Sequence, residues 1–226
     1  MTTKLFTGIY REAYQQCVKE GYTPATIPVI AKLRCDGAYC NTYIDTATFS
    51  AYNGKGKMKI LHGLTKEQYD TWIVWKEHLT LLEYNELKGK EFDVKDYDWN
   101  VKDYDQMTKE EVLANPIWNA LIPDKELLKE YADMVFSKVP EKNMGIWIST
   151  WPDTPQLRPW FLKRIGDGYG ANANDGGHLD YADARLVGVK NSTSGANVIS
   201  HPEICGNCKQ CGQIWKSLMK HVKEEH

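Results

Sequence analysis

The stretch "TYIDTATFSAYNGKGKMKILHGL", residues 42–64, decides how this chain is read. Residues 42–52 have the β-branched and aromatic composition of a strand. "NGKG" (53–56) is a turn signal, and "KMKILHGL" (57–64) reads as the return strand of a hairpin. Upstream, "TIPVIAKLRC" (26–35) is apolar and β-branched but contains Pro28. It is expected as an edge strand, where a missing N–H is tolerated. Further upstream, "GIYREAYQQCVKEGY" (8–22) gathers Ile9, Ala13, Cys17 and Val18 near one face of a short helix ended by Gly21 and Pro24. Cys17 is expected in the core, as a small hydrophobe.

Downstream of the hairpin, "TKEQYDTWIVWKEHLTLLEYNELK" (65–88) predicts one long helix. Thr65 and Gln68 make a capping box, Gly89 is a stop, and Tyr69, Trp72, Ile73, Leu79, Leu82 and Leu87 recur at helical spacing. His78 on this segment has no ligand-like partner at helical spacing. Residues 108–122 and 123–139 predict two helices separated by Pro123. "GIWIST" (145–150) predicts a short strand, and "WPDTPQLRPWFLKRI" (151–165) a loop followed by a helix. "GDGYGANANDGG" (166–177) is a loop; its first five residues fail the test for a phosphate cradle, having no strand before them and no helix after. "ARLVGVK" (184–190) and "ANVIS" (196–200) predict strands, and the chain closes on a helix. The expected fold class is α+β without regular βαβ alternation: a single domain over 1–226 with a small, mostly antiparallel sheet and a helical subdomain over 65–139.

The chain has 226 residues, 42% apolar and 26% charged, with 28 basic against 30 acidic residues. A formal charge of −2 argues against a dedicated nucleic-acid coat and does not favour a nucleic-acid partner, while leaving room for a local basic patch. The longest apolar runs, "TIPVIA" and "WIVW", fall far short of the ~20 residues of a membrane span, and the N-terminus has no signal-peptide core. A cytoplasmic, reducing setting is the expectation. Eight tryptophans and thirteen tyrosines supply core volume and, where exposed, protein–protein hot spots.

Half of the six cysteines sit in "HPEICGNCKQCGQIW" (201–215): Cys205, Cys208 and Cys211. Thiolates bind soft metals, and a tetrahedral shell needs a fourth ligand. "RCDGAYC" (34–40) offers Cys35 and Cys40, and His201 is a further candidate. The expected centre is zinc held by Cys205, Cys208 and Cys211 with Cys35 or Cys40 or both, clasping the two ends of the chain across a loop of roughly 170 residues. A 4Fe-4S cluster is the alternative for this spacing. The same tail resembles the end of an uncharacterised bacteriophage protein family that pairs an N-terminal cysteine patch with a C-terminal C-x2-C-x2-C-W tail. Trp215 here comes four residues after the last cysteine rather than directly after it. "GIWISTWPD" (145–153) stands roughly where that family has a strand ending in an acidic residue. The resemblance implies a phage origin more than an activity.

Two further groups carry possible chemistry. "GGHLDYADAR" (176–185) offers His178, Asp180, Asp183 and Arg185, with Asp153 as a partner, for acid/base work or a divalent ion. "EFDVKDYDWNVKDYDQ" (91–106) interleaves Asp93, Asp96, Asp98, Asp103 and Asp105 with aromatics but lacks the calcium-loop order. A solvated loop is its plainer reading, and imitation of a nucleic acid its functional one. With no recognised catalytic motif, the sequence points to binding of a host or viral protein partner, in nucleic-acid metabolism or counter-defence. The alternative is an enzyme of nucleotide or nucleic-acid chemistry using the His178–Asp183 group or an iron–sulfur cluster.

Overall fold

The computed structural model describes residues 1–76, 78–97, 106–139, 143–148, 152–166 and 170–190, all within one compact unit, Met1–Thr193. The chain opens with strand β1 (Thr2–Gly8), helix α1 (Tyr10–Lys19), β2 (Thr23–Pro24) and α2 (Ile27–Cys35). The hairpin follows as β3 (Ile44–Asn53) and β4 (Lys57–His62), as its composition predicts. Next come α3 (Lys66–Gln68), a π-helical stretch Tyr69–Val74, α4 (Leu81–Glu86), β5 (Glu91–Asp93) and a 3-10 turn Val94–Tyr97. After β6 (Gln106–Met107) stand α5 (Lys109–Ala114), α6 (Pro116–Leu121) and α7 (Lys125–Lys138). β7 (Asn143–Met144), β8 (Ile146–Trp147), β9 (Pro155–Leu162), β10 (Ala173–Asn174) and β11 (Ala184–Lys190) complete the described elements.

The fold class is α+β, but the sheet is not small. Among the described residues nine strands join it, in the order β1-β11-β3-β9-β10-β8, with β2 on β11 and β4 between β3 and β5. Most pairs are antiparallel; β11 with β3 and β10 with β8 are parallel. β1 pairs with β11 in unbroken register from Thr2↔Lys190 to Gly8↔Ala184, so a backbone ladder joins the start of the chain to residue 190.

Both faces of the sheet are covered. On β3, Ala47, Phe49 and Ala51 pack with Phe6, Tyr10, Tyr14 and Cys17 against α1 and the π-helical stretch. Ile44 and Tyr52 join the other core with α2, Trp118 of α6 and Tyr131 of α7. The alternate polar residues of β3 are therefore buried too, and their hydroxyls are bonded: Thr46 Oγ1 donates to the Trp160 carbonyl at 2.8 Å, and Thr48 Oγ1 accepts the Ile27 N–H at 2.9 Å.

Several sequence expectations change: residues 108–122 form two helices, α5 and α6, with Asn115 capping the second, and Ala173–Asn174 of the expected loop pair with β9 as β10. Residues 27–35 are a helix, because Pro28 lies in the first turn, where its missing N–H is no loss, and Thr48 satisfies the Ile27 N–H. Residues 155–162 are a central strand despite Pro155 and Pro159. The β3–β9 register slips between Asp45 and Phe49, and Pro159 sits at that bulge, opposite Phe49. The long helix over 65–88 breaks in two: Lys76 takes φ +60°, and Thr80 with Glu83 forms a second capping box beside the expected Thr65–Gln68 one. Residues 196–200 and the closing helix lie outside the described residues.

Candidate recognition surface

Cys35 is the last residue of α2, and Gly37 at φ +88° turns the chain out of the helix. The Ala38 N–H closes on the Leu33 carbonyl at 2.8 Å and the Gly37 N–H on Arg34 at 3.0 Å, a glycine-type helix stop. Cys40 Sγ then lies 3.6 Å from the Arg34 carbonyl and 3.7 Å from Lys138 Nζ of α7. Arg34, fully buried, ties this turn to the core through Tyr131 and the carbonyls of Tyr39, Thr42 and Leu162. Both thiols are half-buried. Burial, followed by Glu130, pushes the Cys35 thiol up to about 11, so a metal must displace its proton to bind. Two thiols supply half a tetrahedral shell, and among the described residues no cluster of three or more metal-capable side chains occurs. Cys205, Cys208, Cys211 and His201 lie outside the described residues. Cys17 is fully buried, as expected for a core residue.

Residues 175–183 run from the far end of β3 to the N-terminus of α1. At one end the fully buried Asp175 accepts the Tyr52 hydroxyl, and the Arg158 guanidinium sits over the Tyr52 ring at 5.5 Å. At the other end the Tyr10 and Arg11 N–H groups of α1 donate to the Tyr181 and Leu179 carbonyls at 2.8 and 2.9 Å, satisfying donors the helix leaves open. The buried Arg11 guanidinium reaches Asp180 Oδ1 at 3.3 Å. Asp180 thereby acts as a counter-ion. Asp183 contributes its main-chain carbonyl to the Tyr43 hydroxyl, and His178 is exposed. Asp153 is exposed at the opposite end of β3, where its carbonyl lies against Gly54 of the hairpin turn. The strand from Asp45 to Asn53 spans roughly 25 Å, so Asp153 does not join the other three. Of the acidic segment 91–106, Asp93 is paired with Lys57 and Lys95, and Asp98, Asp103 and Asp105 lie outside the described residues.

The loop and the strand ends build an aromatic and cationic surface. The Arg185 guanidinium lies 4.6 Å from the Tyr43 ring centroid while its Nη1 donates to Thr42 Oγ1 at 2.8 Å. Tyr43 meets Phe161 edge-on at 6.5 Å, and Lys163 Nζ stands 5.5 Å over the Phe161 ring. Tyr181 is 43% exposed beside them. Beneath, the buried Asp45 accepts the Arg185 backbone N–H at 2.7 Å, and burial raises its carboxyl to about 6. Tyr43, Phe161, Lys163 and Tyr181 were not among the sequence candidates. For Phe161 and Lys163 the signal was the aromatic and basic mixture of "RPWFLKR" (158–164), hidden when residues 151–165 are read as loop and helix; Tyr43 and Tyr181 stood in stretches read as a strand and a polar loop.

An open groove of about 360 Å³ lies between β4, β5 and α6, with His62, Phe92 and Ala120 in its wall. His62 is fully engaged: one ring nitrogen meets Thr48 Oγ1 at 3.1 Å and the other the Ala120 carbonyl at 2.8 Å. The Ala120 carbonyl can only accept, so Nε2 donates to it; Nδ1 of the neutral ring then accepts the Thr48 hydroxyl, whose oxygen accepts the Ile27 N–H. His62 thus links β4 to α6.

No family model matches this chain, and no curated protein does. A solved structure described as "Accommodation of massive sequence variation in Nanoarchaeota by the C-type lectin fold" aligns with a TM-score of 0.62 at 18% identity, covering 84% of this chain and 98% of that one. The fold is that of C-type lectins. At this identity the likeness carries the architecture alone, in which β1 pairs with β11 so that Thr2 stands beside Lys190, and the 175–183 loop crosses between the ends of β3. No helix among the described residues is long and apolar enough to cross a membrane.

Proposed function

We propose that this chain is a binding protein that engages a protein partner through the surface of Tyr43, Phe161, Tyr181 and Arg185, with a cysteine-bound zinc ion stabilising it. The observation that carries the reading is Arg185 stacked on Tyr43 next to Phe161, held on strand ends rather than a loose loop. Aromatic and arginine side chains dominate interface hot spots, and pre-organisation limits the entropy lost on binding. Asp180 bound to Arg11, and Asp153 at the other end of β3, speak for binding over acid/base chemistry. The C-type lectin fold adds support. The nanoarchaeal protein is described as accommodating massive sequence variation on it, and a scaffold that tolerates such variation is suited to recognition.

The zinc component, with the 4Fe-4S alternative, rests on the spacing of Cys205, Cys208 and Cys211 and on the paired thiols Cys35 and Cys40. The phage origin, the cytoplasmic setting and the counter-defence role belong to the same proposal and rest on the tail's resemblance and the composition.

Affinity capture with the wild-type protein and with Tyr43→Ala/Arg185→Ala, followed by mass spectrometry, tests the surface. The reading expects a protein retained by wild type and lost by the double variant; identical sets from both sink it. Elemental analysis and an absorption spectrum of anaerobically purified protein separate zinc from iron–sulfur. Metal content unchanged by Cys208→Ser/Cys211→Ser would remove the metal component.

A further inference from the structure

We propose that two copies of this chain associate edge to edge through β1, in an antiparallel register centred on Leu5. β1 ends the strand order, and among the described residues it pairs only with β11. Its outer row of N–H and C=O groups is a template for another strand. Exposed edges are usually blunted by proline, by a bulge, by shortness or by a lysine, and the one lysine of β1, Lys4, is held by Glu20 at 2.5 Å. β1 has seven residues, no proline, and an unbroken register with its neighbour. The opposite end of the sheet, β8, has two residues, and β5 has three.

Self-complementarity of the sequence identifies the occupant as a second copy. With Leu5 on the two-fold axis, Thr3 faces Thr7 of the other copy, Lys4 faces Phe6, and Leu5 faces Leu5. Threonine pairs and apolar pairs are favourable cross-strand neighbours, and no like charges meet directly. Lys4 Nζ stands 5.1 Å from its own Phe6 ring and pairs with Glu20 at 2.5 Å, so its charge is answered within each copy before the two strands meet. Met1 at 60% and Leu5 at 40% exposure lie on this strand and its approach, and Val18 at 37% on the neighbouring α1. Such an isologous contact closes on itself as a dimer and does not propagate. The ladder is short, so the dimer is weak and concentration-dependent.

Sedimentation of the full chain over a range of concentrations is expected to show a monomer–dimer equilibrium. Leu5→Lys and Leu5→Glu each place like charges on the axis and are expected to weaken dimerisation at least tenfold; mixing the two variants is expected to restore a heterodimer. A wild-type chain that stays monomeric, a dimer indifferent to either charge, or a mixture that fails to reassociate overturns the proposal. Circular dichroism confirms that both variants fold. Hydrogen exchange on the wild-type protein reads the same contact without substitution. Protection of amides in residues 3–7 is expected to rise with concentration, and protection independent of concentration assigns the edge to another cover.

Discussion

Asp45 and His62, both bonded to groups around β3, pull stability in opposite directions as the pH changes. Burial raises the Asp45 carboxyl to about 6, so its contribution is complete below the ordinary carboxylate value of about 3.9 and is lost as the pH rises through 6. Burial lowers His62, so its contribution is complete above the ordinary value of about 6.5 and is lost as the pH falls through its folded value. Asp45→Asn keeps an oxygen to accept the Arg185 N–H and removes the buried charge. We expect the unfolding free energy of this variant, measured by urea titration, to exceed that of wild type by about 1–2 kcal/mol at pH 7 and to converge with it near pH 4. A variant that is weaker at pH 7 shows that the charge itself is needed there. Tyr52→Phe deletes the hydroxyl that donates to the buried Asp175 and should destabilise by about 2–3 kcal/mol. Because Asp175 anchors the loop carrying Tyr181, partner binding by this variant should weaken as well; unchanged stability removes the anchor. None of these partnerships is local in sequence: Tyr52 and Asp175 are separated by 123 positions.

Among the elements, local signals were read correctly where they act locally. The hairpin over 42–64, α1, the Thr65–Gln68 cap and β11 all follow composition and turn chemistry. The proline misreadings share one cause. Pro28, Pro155 and Pro159 were each weighed by what proline does in isolation, whereas the helix start and the β-bulge that accommodate them depend on distant partners such as Thr48 and Phe49. The break after residue 74 was legible in "TLLE", a second capping-box pattern inside the apolar periodicity. Thr80→Ala should cost about 1 kcal/mol, measured as a lowered melting temperature, because the hydroxyl accepting the Glu83 N–H is lost. Gly188 on β11 gives a sharper test of packing. A Cβ there would stand 2.7 Å from both Cys17 Sγ and Phe6 Cε2, so Gly188→Ala should destabilise by about 1–3 kcal/mol. A silent substitution would mean that α1 packs less closely on β11 than described.

At the scale of the whole molecule, the expected metal clasp and the observed ladder answer the same need by different means. β1 on β11 already brings Thr2 beside Lys190, and Tyr39, next to Cys40, donates to Thr3 Oγ1 at 2.9 Å. Closure of this long loop therefore does not wait on a metal. Chelation of the proposed zinc should lower the melting temperature by several degrees while near-ultraviolet circular dichroism keeps its folded signature. Global unfolding on chelation would give the metal the role assigned to the ladder. By itself, the sequence determined the α+β class, the central hairpin, the buried Cys17 and the candidate metal ligands, because periodicity, turn residues and thiol spacing are properties of neighbours along the chain. Only the tertiary structure decided the C-type lectin fold, the nine-stranded sheet and the surface of Tyr43, Phe161, Tyr181 and Arg185. Strand order and the meeting of side chains more than a hundred residues apart are fixed by which surfaces bury one another, and no local pattern records that choice.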